Sequence, residues 1–530
     1  MSSKAWIDSS KRAYLQVPYD VGKVAAYRRL PAASWNRGDQ MWSFRPTPAA
    51  CHTVANMADM VCCDGVRDMA AQWEMSHTVE PFEYDTITEP WGHQNKAVWF
   101  TGNKYAAYFD MGMGTGKTKA AIDVIDHKGL KKVLILCPKS VISVWPKQFE
   151  EHGPRLCLPL TMSGGTKTKA KKCAEFVKDH PDESLAIVVN YESARTGDLA
   201  TWIKEQEWDG VILDEAHRTK THNSAISKFC FELSHKASFR LCLSGTPLPA
   251  NPLDIFAQFR FLDAGIFGTS WSRFRDKYAE TNPYFKSQIV GFRNEVDLKK
   301  KMAYLMHSCR SEDVLDLPDV IDTEIPVVLD SKTKKIYKDF HEHMIAEVNG
   351  EEVTALNALS KLLKLQQVTG GFCIDSDVTS HISTEKVDVL RDLLADMPET
   401  DKSVVFTRFK YDIRQIRARC GREVYELSGD KNELEEWKEA PEGAVLATQI
   451  QAGSMGISMV EAATCFFYSV GYSLGDYEQA RARLHRPGQE RNVNFYHLVA
   501  EASIDTTVYK ALKSKKDVVE SVLEELRNAN

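Results

Sequence analysis

The sequence predicts an α/β chain with two parallel-sheet domains, a helical stretch between them and a small N-terminal domain. Three observations carry that expectation. Apolar runs alternate with helical patterns twice, from about residue 91 to 262 and again after residue 383. A glycine-rich loop, Met111-Gly112-Met113-Gly114-Thr115-Gly116-Lys117-Thr118, stands in the first region. Further on in that region, the acidic pair Asp214-Glu215 follows directly on the apolar run Val211-Ile212-Leu213.

Each element follows from its residues. In the first region the strand candidates are Val133 to Cys137, Ala186 to Val189 and Val211 to Leu213. In the second they are Val404-Val405-Phe406, Ala444-Val445-Leu446, Cys465 to Tyr468 and Val493 to Val499. Unbroken rather than alternating apolar runs are what strands covered on both faces require. The stretch between reads as mainly helical, with apolar periodicity from Ala355 to Gln367. The expected limits are 1–85 for an accessory domain, 86–262 for the first sheet domain, 263–382 for helical insertions and linker, and 383–530 for the second sheet domain. A C-terminal amphipathic helix closes the last. The basic cluster Lys167 to Lys172 reads as a solvated loop.

Bulk properties narrow the function. With 530 residues, 43% hydrophobic and 26% charged, the chain has the makeup of a globular protein of several domains. A formal net charge of -6 supplies no global attraction for a polyanion, so any nucleic-acid surface must be a local patch. The 12 cysteines show no CxxC spacing, and several lie inside apolar runs; a reducing compartment and no zinc are expected. No leader and no bilayer-length apolar stretch is evident, so a soluble, intracellular protein is expected.

The chemistry lies in the loop and the acidic pair. Small residues let backbone N–H groups approach a triphosphate, Lys117 reaches the terminal phosphates, and Thr118 can bind Mg2+. Asp214 would hold the magnesium ion and Glu215 would activate water. Alone, the loop could be a chance turn and the acidic pair a helix cap. Together, after buried strands, they describe an ATPase. Near the end of the second region, Arg483 and Arg486 stand three apart and would share a helix face, where two guanidiniums suit a transferring phosphoryl group. The bland alternative is a solvated basic helix end.

The ordered set of motifs resembles helicase superfamily two, in particular its Swi/Snf-type ATPases, from about Trp91 to Ala511. The resemblance implies two RecA-like lobes, ATP and Mg2+ as cofactors, and sequence-independent contact with duplex or branched DNA, with room for a protein that recruits the motor. Gln94 resembles the glutamine that reads adenine; Met111 to Thr118 resemble the phosphate loop, with Met111 in place of the usual glycine. Val133 to Ser140 resemble motif Ia, Trp208 to Lys220 the DEAH motif, and Leu243 to Pro247 motif III. Val405 to Phe409 resemble motif IV, Gln451 to Ser458 motif V, and Gln479 to Gln489 motif VI, while Leu317-Pro318 sits where the family places inter-lobe helical elements.

Carried over by motif, catalysis falls to Lys117, Asp214, Glu215, Gln479, Arg483 and Arg486. Nucleotide binding falls to Gln94, the loop from Met111 to Thr118 and Gly456, and metal binding to Thr118 and Asp214. DNA binding falls to Pro138, Lys139, Ser140, Thr246, Thr407, Arg408, Gln451, Ala452 and Gly453. Tyr19 to Pro46 resembles the HARP-type module of annealing helicases; Lys23, Arg28, Arg29, Arg37 and Arg45 interleaved with aromatics would suit single strands, whereas tryptophans that only form a core are the plain alternative. The implied activity is an ATP-driven motor that remodels or reanneals DNA, acting as a monomer. Its rivals are a strand-separating DNA or RNA helicase and a binding scaffold with an inactive ATPase.

Overall fold

A computed structural model describes residues 3–153, 155–160, 165–249, 251–283, 289–348, 355–375, 378–451 and 457–528. It divides into two compact units, Met1–Val314 with Val518–Asn530, and Leu315–Asp517.

The first unit is built on a seven-stranded parallel sheet. Its strand order is Met306–Cys309, Ala106–Met111, Ala237–Ser244, Trp208–Asp214, Lys132–Cys137, Leu185–Asn190 and Leu156–Pro159. The strands Ala106–Met111 and Leu185–Asn190 are buried along their whole length, as mostly apolar strands covered on both faces should be. Two hydrophobic clusters, one on each face, hold helices against them: Ala120, Ile122 and Trp145 on one side, Tyr108, Leu213 and Phe259 on the other.

The N-terminal residues form a separate five-stranded mixed sheet with its own core of Leu15, Phe44, Val54 and Val66. Trp42 and Trp73 are buried, so these two tryptophans do serve as core; Tyr19 and Trp35 stay exposed. This module is joined to the large sheet through Asp263. Its carboxylate accepts from Ala49 N at 3.1 Å and from the Tyr105 hydroxyl at 2.7 Å. A side chain at Gly265 would come within 2.6 Å of Ala50 N, so the close approach needs glycine there.

The second unit carries a six-stranded parallel sheet in the order Val320–Val327, Val493–Ala500, Thr464–Phe467, Ser403–Thr407, Val445–Gln449 and Val424–Leu427. Its core includes Leu390, Val405, Ile416 and Phe466. The helix Ile504–Asn528 ends the described chain.

Three expectations for local structure are corrected. Residues 263–382 are not only helical: Met306–Cys309 is an edge strand of the first sheet and Val320–Val327 an edge strand of the second. Leu317 and Pro318 precede that strand and lie outside any helix. Lys167 to Lys172 lie in the helix Thr166–Asp179, where Lys169 is buried and donates to Ser193 Oγ at 3.1 Å.

Candidate nucleotide site

The ends of the first sheet's strands that carry the motif residues, Met111, Asp214 and Ser244, are their C-terminal ends, the edge at which open parallel sheets bind ligands. The loop after Met111 turns through Gly114 (φ 78°) and Gly116 (φ 76°), both left-handed, and enters the helix Lys117–His127. Met111 is the last residue of its strand, fully buried in the core cluster, which explains why an apolar residue can stand where a glycine is usual. The cradle itself needs no side chains: a Cβ on Gly116 would sit 2.2 Å from Gln94 Nε2, and one on Gly112 only 2.3 Å from Ser311 Oγ.

The loop is held from several directions. Thr115 Oγ1 donates to Gly112 O at 2.7 Å, and Ser311 Oγ donates to Met113 O at 2.7 Å. Thr115 O accepts from Gln94 Nε2 at 3.0 Å and lies 2.8 Å from His93 Nε2, while Gln94 Oε1 accepts from Trp91 N at 2.9 Å. Gln94 therefore ties the start of its helix, Gly92–Thr101, to the phosphate loop through both ends of its amide. Lys117 Nζ donates to Met111 O at 3.0 Å and Gly112 O at 3.2 Å, which places its charge at the loop mouth. Thr118 follows on the first helical turn, half-buried.

Across the sheet edge, Asp214 is buried at the end of its strand. Its carboxylate accepts from Trp145 Nε1 at 3.0 Å, and its carbonyl accepts from the Tyr191 hydroxyl at 2.8 Å. Burial pushes the Asp214 carboxyl up, and the charge of Glu215 adds to it; Trp145 and the Lys117 ammonium pull it down. Glu215 has a left-handed backbone, φ 51° and ψ 52°. That conformation costs a side-chain-bearing residue roughly 1–2 kcal/mol and is found where function demands it. His217 Nδ1 lies 3.3 Å from Glu215 Oε2 and 3.1 Å from Ser244 Oγ, and Ser244 Oγ also accepts from Thr246 N at 3.1 Å. The acidic pair and the Leu243 to Pro247 segment are thus wired together through one imidazole.

In the second unit the helix Leu474–Arg481, which carries the buried Gln479, ends before the two arginines. The expectation of one helical face is corrected: Arg483 and Arg486 lie in the turns that follow. Their guanidiniums still converge, because Arg483 Nη1 and Arg486 Nη1 both donate to Ile457 O, at 3.4 and 3.2 Å. Gln489 pins the turn by donating to Val460 O and Ala462 O.

Residues 67–371 match the SNF2-related domain, more than half of the chain. The chain belongs to the SNF2-related family of ATPases. Among relatives, an uncharacterized ATP-dependent helicase of Mycoplasma genitalium is 24% identical over 439 residues, covering 80% of this chain and 41% of that protein. The DNA annealing helicase and endonuclease ZRANB3 of Homo sapiens is 24% identical over 438 residues, covering 78% and 38%. This chain thus spans about two-fifths of the length of these relatives. A solved Sulfolobus solfataricus SWI2/SNF2 ATPase core in complex with double-stranded DNA is 22% identical, with 84% of this chain and 96% of that chain covered and a TM-score of 0.39.

The residues assigned to DNA by motif are placed unevenly. Lys139 is exposed in the short turn Lys139–Val141, which Ser140 shares, and Pro138 before it is buried. Thr246 is half-buried. Thr407 is fully buried and donates to Thr448 O at 3.3 Å, so its hydroxyl faces the sheet and not a ligand. Arg408 is half-buried and donates to Gln366 Oε1, while its own N–H donates to Ser469 Oγ at 2.7 Å. Gln451 is exposed in a turn; Ala452, Gly453 and Gly456 lie outside the described residues. Motif reasoning missed Ser311, His93 and Trp145, which hold the loop and Asp214. His93 stands directly before Gln94 and Trp145 follows the motif Ia segment, so both lie beside motifs that gave them no role of their own, whereas Ser311 is distant in sequence and only the fold brings it to the loop. Among the described residues no helix is long and apolar enough to cross a membrane.

Proposed function

We propose that the chain is an ATP-driven motor on duplex or branched DNA, which remodels or reanneals strands instead of separating them. The observation that carries this reading is the convergence of a glycine cradle, Lys117 and the Asp214-Glu215 pair at one sheet edge. The loop's backbone N–H groups bind the phosphates of ATP, and Lys117 exchanges its two carbonyl acceptors for phosphate oxygens. Thr118 and Asp214 offer the hard oxygen ligands that Mg2+ prefers, and the ion, when bound, neutralises charge on the phosphates. Glu215 orients the attacking water, with His217 holding its carboxylate. Arg483 and Arg486 of the second unit supply positive charge to the transferring phosphoryl group, with Gln479 on the helix before them. DNA phosphates are engaged through Lys139 and Arg408, which carry little base information, so binding is sequence-independent and salt-sensitive.

The human relative is named an annealing helicase, which supports reannealing; the Mycoplasma relative, named a helicase, keeps strand separation as the second reading. The N-terminal module is assigned the accessory, HARP-like role. The test is ATP hydrolysis by the purified chain without nucleic acid and with single-stranded, duplex or forked DNA or RNA, beside strand displacement on a tailed duplex. Stimulation by duplex or fork that is lost in Lys117→Ala, without displacement, is the expected result. Displacement, or stimulation by RNA alone, overturns it in favour of the helicase, and no hydrolysis with any nucleic acid leaves the scaffold.

A further inference from the structure

A groove of about 1130 Å³ runs within the first unit, between the N-terminal module and the segment after Asp263. One wall is the helix Val21–Tyr27 with Arg28 and Arg29; the other is the helix Trp271–Tyr278 with Arg273 and Lys277. Lys301 closes one side. Five basic side chains line it with one acid, Asp276, whose carboxylate is paired with Arg275 at 2.9 Å; two of the five, Lys277 and Lys301, pair with Asp297 at 2.7 and 3.8 Å, which leaves the three arginines. Among the described residues, none of Arg28, Arg29 and Arg273 has a carboxylate partner, and all three are exposed. Burial, Lys277 and Arg29 pull the Lys301 ammonium down, against the attraction of Asp297. In a chain of net charge -6 such a concentration of positive charge is local, and the walls are fixed, since Arg273 Nη1 donates to Arg28 O at 2.7 Å.

The groove also has an aromatic at its rim. Tyr19 lines it with 82% of its surface exposed. An exposed ring beside three exposed arginines that have no carboxylate partner among the described residues is the arrangement on which a base stacks while its phosphates are neutralised. The volume exceeds the roughly 300–1,000 Å³ of small-ligand sites, which fits a length of chain better than one nucleotide.

We propose that this groove binds single-stranded nucleic acid, with Arg28, Arg29 and Arg273 on the phosphates and Tyr19 stacked on a base. The proposal rests on the reading of the chain as a DNA motor, and it gives the N-terminal module a strand to hold beside the duplex that the motor travels on. None of these four residues belongs to the nucleotide site.

The test measures binding of a fluorescent oligothymidylate to the full chain, without ATP, across a salt series. Arg28→Ala/Arg29→Ala/Arg273→Ala should weaken binding at least tenfold and reduce the salt slope by about 2, at about 0.7 for each phosphate no longer neutralised. Tyr19→Ala, at a position too exposed to affect folding, should weaken binding at least about fivefold with the slope unchanged. Duplex-stimulated hydrolysis should stay within about twofold in both variants. Unchanged affinity and slope in the triple variant overturn the proposal, as does polyglutamate displacing the oligonucleotide at equal charge concentration, which marks an acidic-protein surface instead. Loss of DNA-stimulated hydrolysis in the unaltered chain, with oligonucleotide binding intact, defeats the motor reading alone.

Discussion

Ser311 holds Met113: its hydroxyl donates to the Met113 carbonyl at 2.7 Å, and its backbone packs so closely on Gly112 that no side chain fits between them. Ser311 lies three residues before the first unit ends at Val314, so the phosphate loop is braced by the segment that leaves the unit.

Removing that hydroxyl should loosen the loop without touching its chemistry. A hydrogen bond of this kind contributes about 0.5–1.5 kcal/mol, so Ser311→Ala should raise the KM for ATP by about two- to tenfold and leave kcat near its original value. Gly112→Ala is far more severe, because its Cβ would meet Ser311 backbone N at 2.5 Å as well as Oγ. That variant should lose nucleotide binding outright. Steady-state hydrolysis with isothermal binding of ATP checks both, and an unchanged KM in Ser311→Ala rules out the brace.

Glu215 is the second case in which function and stability pull apart. A non-glycine residue with φ 51° is strained, and glycine is the residue that relieves it. Glu215→Gly should therefore raise the stability of the first unit by about 0.5–1 kcal/mol while abolishing turnover. Glu215→Gln keeps the strain and should keep ATP binding, also without turnover. Denaturant unfolding, a nucleotide-binding assay and steady-state hydrolysis read these effects, and a Glu215→Gly variant less stable than its parent contradicts the strain argument.

What the sequence displayed and what it hid divide along physical lines. Interior strands with unbroken apolar runs, such as Val133 to Cys137, were legible, whereas the equally interior Ala106–Met111 and Ala237–Ser244, interrupted by Asp110 and Arg240, were not among the expected strands. Nor were the edge strands. Met306–Cys309 contains His307 and Ser308, and Val320–Val327 carries Asp322, Thr323 and Glu324 at its centre, so neither shows the signature of the interior. The phosphate loop and acidic pair were readable because their chemistry is local in the chain. Ser311 acts on Met113 from 198 residues away and Trp145 on Asp214 from 69, so their roles come from the fold, while His93 shares the Gln94 motif and only its contact to the loop was hidden. The two arginines illustrate the middle ground: the spacing of Arg483 and Arg486 implied a common helix face, yet they meet instead through the carbonyl of Ile457 after the helix has ended.

The second unit should lose stability in acid in two steps. Asp322 accepts from Arg481 at 2.8 Å and lies 2.9 Å from His497 Nε2. Burial opposes its charge, yet the hydrogen bonds to His497 and Arg481 hold its carboxyl well below the usual range. Burial also pulls the His497 imidazole down, against the attraction of Asp322. Both groups take up protons more readily in the unfolded chain. Their contributions are complete above about pH 6.5 and are lost as pH falls, first through His497 and then, below about pH 4, through Asp322. His497→Gln should flatten the dependence between about pH 7 and 5; Asp322→Asn should destabilise at every pH, leaving Arg481 without its partner, and flatten the slope below about pH 4. Unfolding midpoints at about pH 8, 6, 5 and 3.5 decide it, and a wild-type midpoint that rises on acidification refutes the sign.

The shared carbonyl at Ile457 sets the last prediction. Two guanidiniums that donate to the same neutral carbonyl bring like charges together at one point. The arrangement is explained if the pair is positioned for a more negative ligand, and burial already pulls the Arg486 guanidinium down, which a phosphoryl oxygen would counter. An arginine placed on a transferring phosphoryl group contributes on the order of 10³-fold or more to kcat. Arg486→Ala and Arg483→Ala should therefore each lower kcat by that factor while the Kd for ATP changes less than about tenfold. If the arginines serve structure alone, both variants lower the unfolding midpoint and leave kcat per folded molecule intact. Lysine discriminates further: Arg486→Lys keeps the charge but not the planar fork, so it should recover folding fully and hydrolysis only in part. Full recovery by lysine at both positions reduces the pair to simple countercharge.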